Sequence, residues 1–201
     1  MKIFYMNQGS AGEYGAVDYR AFDVVLIAED GALTKQGFLQ AWKDGKPLMS
    51  VQVKADAEGG RTSRIISNVR DLDVTAEHVR PIATFQLTKL GIRVVFVHLK
   101  SADRTAATEA LERAAAKVYS DPANKAKEPI LWIGDFNRAS EEVLAELVGA
   151  RCLVADGGHS QWRLDRAYAS GDWSKYRCQI IPGPCAAGDH GHVGIGLSID
   201  K

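Results

Sequence analysis

No apolar run in this chain approaches the roughly 18–20 residues that cross a bilayer, so no membrane span is expected. The start, Met1-Lys2-Ile3-Phe4-Tyr5-Met6-Asn7, turns polar after a short apolar stretch and lacks the h-region of a secretory signal. The expectation is a cytoplasmic protein. Net charge is missing too: 25 basic and 25 acidic residues cancel. A neutral chain sets up no bulk field to gather nucleic acid. That argues against a pure nucleic-acid-binding module. It argues less against an enzyme that cuts phosphodiesters, because catalytic carboxylates offset cations in the count. Cysteines are scarce, three in 201 residues. An odd number without a leader points to reduced thiols. Cys178, Cys185, His190 and His192 do not fall at the spacing of a compact zinc finger. Internal repeats, low-complexity segments and interdomain linkers are all absent, so the expectation is one domain over residues 1–201.

What the chain does have is strands. Strand-like runs fall at Ile3–Met6, Val24–Ala28, Leu48–Val53, Ser63–Asn68, Ile82–Leu87, Ile92–His98, Ile130–Ile133, Arg151–Ala155, Leu164–Ala169, Cys178–Ile181 and Val193–Ile199. Two of them, Val24-Val25-Leu26-Ile27 and Val94-Val95-Phe96-Val97, are continuously apolar. Such runs suit strands buried on both faces. Helical periodicity is clearest over Ala102–Tyr119, where Leu111, Ala115 and Val118 share a stripe and Asp121-Pro122 makes a stop. Further helices are expected over Ser140–Val148, with Ser140 as cap, and over Thr34–Trp42. Many strands and few helices in mixed order predict an α/β sandwich: two packed mixed sheets with helices outside, four layers in all.

The chemistry sits at the strand ends. Asn7, Glu29 and His98 each follow an apolar run; Asp135 and Asn137 follow another. Asp165 opens a strand, and Asp189 with His190 precedes the last one. A rigid scaffold presents side chains at such places to a cleft. Taken singly, each has a plain explanation: a solvated Glu, a satisfied His, a tight turn at Gly134-Asp135-Phe136-Asn137. Taken together they are four carboxylates, two amides and two histidines. Oxygen donors suit a hard cation such as Mg²⁺, which takes one or two carboxylates, waters and a substrate phosphate. Glu29 and Asp189, with Asn7 nearby, are the candidate ligands. Imidazoles titrate near neutrality, so His98 and His190 suit proton transfer.

These segments resemble the endonuclease/exonuclease/phosphatase superfamily, which includes pancreatic-type deoxyribonuclease. Ile130–Asn137 is similar to its strand leading into Gly-Asp-Phe-Asn, and Val94–Ser101 to its strand ending in the catalytic His. Val24–Glu29 resembles the strand ending in its metal-binding Glu, Arg163–Tyr168 its Leu-Asp-Tyr or Tyr-Asp-Arg segment, and Gly188–Val193 its Ser-Asp-His-x-x-Val ending. Asn7–Ser10, Arg80–Ile82 and Gly134–Arg138 are similar to segments of one branch, the catalytic subunit of cytolethal distending toxin. The resemblance implies a deoxyribonuclease I-like fold and a Mg²⁺-dependent phosphoric ester hydrolase, with Mn²⁺ able to substitute. It implies metal binding by Glu29, Asn7 and Asp189, and a histidine pair, His98 and His190, at the scissile phosphate. Asp165 would orient His190, Asp135 and Asn137 would position water or phosphate, and Arg80 and Arg138 would contact substrate.

There are departures. Ala28 stands where the family usually has Gln, Gly188 where it has Ser and His192 where it has Pro. None removes a catalytic group. Glu29 and His98 also lie close in sequence, so excursions that grip substrate are expected to be trimmed. The first expectation for substrate is DNA, before RNA, with Lys54, Arg61, Arg64, Arg70, Lys100 and Arg104 as further flanking cations. The alternative is a phosphatase or phosphodiesterase acting on a phosphoinositide or another small phosphate ester. No obligate protein partner is evident.

Overall fold

The computed structural model describes residues 1–7, 19–29, 49–53, 62–70, 72–73, 82–99, 103–120, 127–140, 142, 164–181 and 194–201, and the backbone of 151–155. The expected helix over Thr34–Trp42 lies outside these residues, as does nearly all of that over Ser140–Val148.

Among the described residues, twelve strands are laid out as β1 (Lys2–Asn7), β2 (Val24–Ala28), β3 (Met49–Val53), β4 (Ser63–Ser67), β5 (Leu72–Asp73), β6 (Ile82–Leu87), β7 (Ile92–His98), β8 (Ile130–Asp135), β9 (Arg151–Ala155), β10 (Asp165–Ser170), β11 (Arg177–Ile181) and β12 (Ile195–Asp200). They form two six-stranded sheets, ordered β11-β12-β1-β2-β4-β3 and β5-β6-β7-β8-β10-β9. Each sheet is mixed, as expected: β1 and β2 run parallel in the first, β7 and β8 in the second, and the other pairings are antiparallel.

Period-2 alternation explains the layers. Ile3, Tyr5, Val24 and Leu26 of the first sheet meet Val94, Phe96, Leu131 and Ile133 of the second in one core. The intervening Val95, Val97 and Trp132 face the other way and pack under helix α1 (Arg104–Ser120). That helix buries Leu111, Ala115 and Val118, the stripe read from the sequence, together with Ala107 and Ala114. Asp103 caps it, accepting the Ala106 N–H at 2.9 Å. The two apolar runs are buried throughout because both faces of their strands are covered. Phe4, Val25, Ile27 and Ile66, on the outer face of the first sheet, are buried as well, with Phe22 stacked 5.1 Å from Phe4.

Strand β8 runs two residues further than expected, so Gly134 and Asp135 belong to the sheet, and the turn holds Asn137 and Arg138. Gly134 is required there. Its φ is +149°, and a Cβ would lie 1.9 Å from the Val97 carbonyl oxygen on the neighbouring strand. The two-residue strand β5 and the 3-10 turn at Tyr19–Ala21 carry no sequence signal strong enough to anticipate.

Candidate active site

Parallel pairing puts the C-terminal ends of β1 and β2 together, with Asn7 opposite Ala28 and Glu29 one residue beyond. The same geometry in the second sheet sets His98 opposite Asp135. Strand β10 is antiparallel to β8, so its first residue, Asp165, also lies opposite Asp135. Strand β4 is antiparallel to β2, which brings its first residue, Ser63, to the corresponding end of the other sheet. Six of the expected residues thus come from adjacent strand ends: Asn7, Glu29, His98, Asp135, Asn137 and Asp165. Asp189, His190 and Arg80 lie outside the described residues.

Polar contacts tie the two sheets together at this end. The Tyr5 hydroxyl donates to Asp165 Oδ1 at 2.6 Å. Asn7 Nδ2 donates to Asp135 Oδ2 at 3.1 Å. Ser63 Oγ and His98 Nδ1 share a hydrogen bond of 2.8 Å. Glu29 Oε1 stands 3.6 Å from His98 Nε2, beyond direct hydrogen-bond length and within ion-pair reach. Each contact joins a residue of the first sheet to one of the second. Of these groups Glu29 is the most open, with 23% of its side chain exposed against 3% for His98.

Asp135 is the hub. Besides Asn7, its carboxylate accepts the Asn137 N–H at 2.7 Å and Asn137 Nδ2 at 3.1 Å. Asn137 Nδ2 also donates to the Leu99 carbonyl at 2.7 Å, which fastens the turn after β8 to the end of β7. Three donors from two residues hold the Asp135 carboxylate in one orientation.

Backbone strain concentrates here. Among the described residues, the non-glycine residues at positive φ are Glu29 (56°), Asn137 (47°) and Lys127 (71°). Asn tolerates the left-handed region; a Glu there costs about 1–2 kcal/mol. Two of the three are site residues. Strain of this kind persists where surrounding structure imposes it, which is frequent at functional sites.

Tyr5 and Ser63 were not anticipated. Tyr5 sits inside an apolar run and reads as core. Its burial, and then the charges of Asp165 and Asp135, hold its hydroxyl well above the usual tyrosine range. It is therefore a neutral donor wherever proteins function. Ser63 opens a strand and reads as a boundary residue. Its role rests on a cross-sheet contact that no local pattern encodes.

The donor set suits a hard cation. Asn7 and Glu29 bring an amide and a carboxylate to the same pair of strand ends, the oxygen chemistry a hard cation takes. Among the described residues, no three His, Cys, Asp or Glu side chains are grouped to hold a metal. Two oxygen donors match the sparse protein shell that Mg²⁺ accepts.

No protein-family model and no curated protein matches the sequence. Solved structures do match its shape. Truncated Caenorhabditis elegans TDP2 is similar at a TM-score of 0.65 and 15% identity, over 100% of this chain and 98% of that one. CdtB, the biologically active subunit of cytolethal distending toxin, is similar at 0.57 and 15%, over 100% and 97%. An endonuclease/exonuclease/phosphatase family protein from Bacteroides thetaiotaomicron is similar at 0.61 and 10%, over 99% and 93%. Coverage above nine-tenths of both chains shows that the protein has the deoxyribonuclease I-like fold, a four-layered α/β sandwich. Among the described residues, no helix is long and apolar enough to cross a membrane.

Proposed function

We propose that the chain is a divalent-metal-dependent phosphodiester hydrolase, acting as an endonuclease on DNA. The observation that carries this reading is the convergence of Glu29, Asn7, His98, Asp135, Asn137 and Asp165 on one end of the sandwich, braced by contacts between the sheets. The fold shared with an endonuclease/exonuclease/phosphatase family protein supports it.

Glu29 and Asn7 would hold Mg²⁺ or Mn²⁺, with Asp189 as a further ligand. A cation there would supply charge to the phosphoryl oxygens as the bond breaks. The chain's own groups do the rest. Ser63 fixes His98 through Nδ1, so the buried Nε2 is turned toward Glu29. His98 then holds a proton at Nε2 for a phosphate oxygen, with His190 as its partner. Asp135, fixed by Asn7 and Asn137, orients the attacking water. Asp165 orients His190, and its contact with Tyr5 fixes the carboxylate. Arg138 and Arg80 contact flanking phosphates.

The test is plasmid nicking with Mg²⁺ or Mn²⁺, with and without EDTA, by wild type, His98→Ala and Asp135→Asn. Metal-dependent nicking that falls at least ~100-fold in both variants is expected, the scale of a lost acid–base group. Metal-independent nicking, or equal nicking by His98→Ala, would remove the reading. Hydrolysis of inositol phosphates or nucleotides without nicking would keep the chemistry and move the substrate to a small phosphate ester.

A further inference from the structure

We propose that the left-handed backbone at residue 29 is a positioning device: it turns the Glu29 carboxylate inward, toward His98, against the direction that strand alternation would give it. The functional consequence, a cation held by that inward carboxylate, rests on the hydrolase reading; the turn itself does not.

Side chains of a strand point to its two faces in alternation. Five residues of the site obey this rule. Asn7 continues the series Ile3, Tyr5 in β1, and Ser63 opens the series that Ile65 continues in β4. His98 follows Val94 and Phe96 in β7, Asp135 follows Leu131 and Ile133 in β8, and Asp165 precedes Ala167 in β10. All these companions lie in the core between the sheets, so the five polar side chains inherit the inward direction.

Glu29 has the opposite parity. In β2 the inward residues are Val24, Leu26 and Ala28, whereas Val25 and Ile27 are buried on the outer face. An extended residue 29 would follow Val25 and Ile27, away from the second sheet. Yet Glu29 Oε1 stands 3.6 Å from His98 Nε2, a residue of the second sheet. What reconciles the two facts is a φ of 56°, which breaks the alternation one residue after β2 ends.

Asn137 supplies the comparison. It follows β8 in the second sheet at a φ of 47°, and its amide only folds back onto Asp135. A short side chain serves there, and Asn is among the residues that accept this conformation. Gly or Asn would suit the backbone at residue 29 too, and neither carries a carboxylate. Glu therefore occupies a position that its backbone disfavours, and the reach of its acid group across to the other sheet is what the strain accompanies.

The experiment reads stability and cation binding separately. Thermal melts of EDTA-treated protein compare Glu29→Gln, Glu29→Asn, Glu29→Gly and Glu29→Val. Gln keeps the side-chain shape and the disfavoured backbone. Gly removes the steric cost while loosening the unfolded chain, and Asn eases it. Glu29→Gly should melt roughly 2–6 °C above Glu29→Gln, with Glu29→Asn between them. Glu29→Val, β-branched and least suited to positive φ, should melt below Glu29→Gln. Mn²⁺ titration followed by EPR gives the second reading, and affinity should fall at least ~10-fold in Glu29→Gly. A protein that gains stability while losing its cation is the expected result. Glu29→Gly and Glu29→Asn melting at or below Glu29→Gln would overturn the proposal, since no strain would be there to release. So would a weak amide–α-proton NOE within residue 29 of the wild type, the mark of a negative φ. A stabilised Glu29→Gly with Mn²⁺ affinity unchanged leaves the inward turn standing and removes Glu29 from the cation, and with it the metal chemistry assigned to that residue.

Discussion

Replacing Tyr5 with Phe deletes one oxygen and changes the volume little. That oxygen donates the 2.6 Å bond to Asp165, and both residues are fully buried. A hydrogen bond to a charged group contributes about 1.5–3 kcal/mol, and a buried acceptor deprived of its donor keeps its desolvation cost. The expected loss for Tyr5→Phe is therefore about 2–3 kcal/mol. For a chain of this size each kcal/mol moves Tm by roughly 2–4 °C, so calorimetry should record a drop of about 4–12 °C. The pH dependence adds a second arm. The folded-state pKa of Tyr5 is raised, so above the unfolded tyrosine value of about 10 the unfolded chain loses a proton that the folded chain keeps. The folded state then binds more protons than the unfolded one, and wild-type stability falls as pH rises further. Tyr5→Phe lacks that contribution, so the gap between the two proteins should narrow above pH ~10. Urea melts at neutral pH and at successive pH values above ~10 measure it. A variant within ~0.5 kcal/mol of wild type, or a gap that stays constant through the alkaline range, would refute the reasoning.

Other outcomes follow from the same geometry. Ser63→Ala frees the His98 ring to rotate; kcat should fall roughly tenfold or more, the cost of a misplaced catalytic group, with a displaced pH–rate limb and recovery in Ser63→Thr. Gly134→Ala drives a methyl group into the Val97 backbone and should cost more than ~4 kcal/mol, seen as loss of a cooperative melt. Glu29→Gln keeps the side-chain shape and removes its charge; the Mg²⁺ concentration for half-maximal activity should rise at least ~10-fold, while the melting temperature in EDTA stays within a few degrees.

The strands were legible because burial on both faces writes itself into sequence. Val24–Ile27 and Val94–Val97 could be little else, and the polar residue after each run marked the site end. The α1 stripe was legible for the same reason, and Pro122 closed it. Strand β5 was not, since two residues carry no period. Tyr5 and Ser63 were missed because their importance lies in cross-sheet partners 160 and 35 residues away. Local pattern tells which face a residue takes and not what it meets there. Arg166 follows Asp165 in the chain, and alternation sends it to a different surface.

The measurement that bears most directly on the central claim is anomalous diffraction from crystals soaked in Mn²⁺. A peak within coordinating distance of Glu29 and the Asn7 amide oxygen, absent from crystals of Glu29→Gln, is the expected result. Strong density elsewhere with none at Glu29 would contradict it, because the cleft would then hold no cation to charge the phosphate.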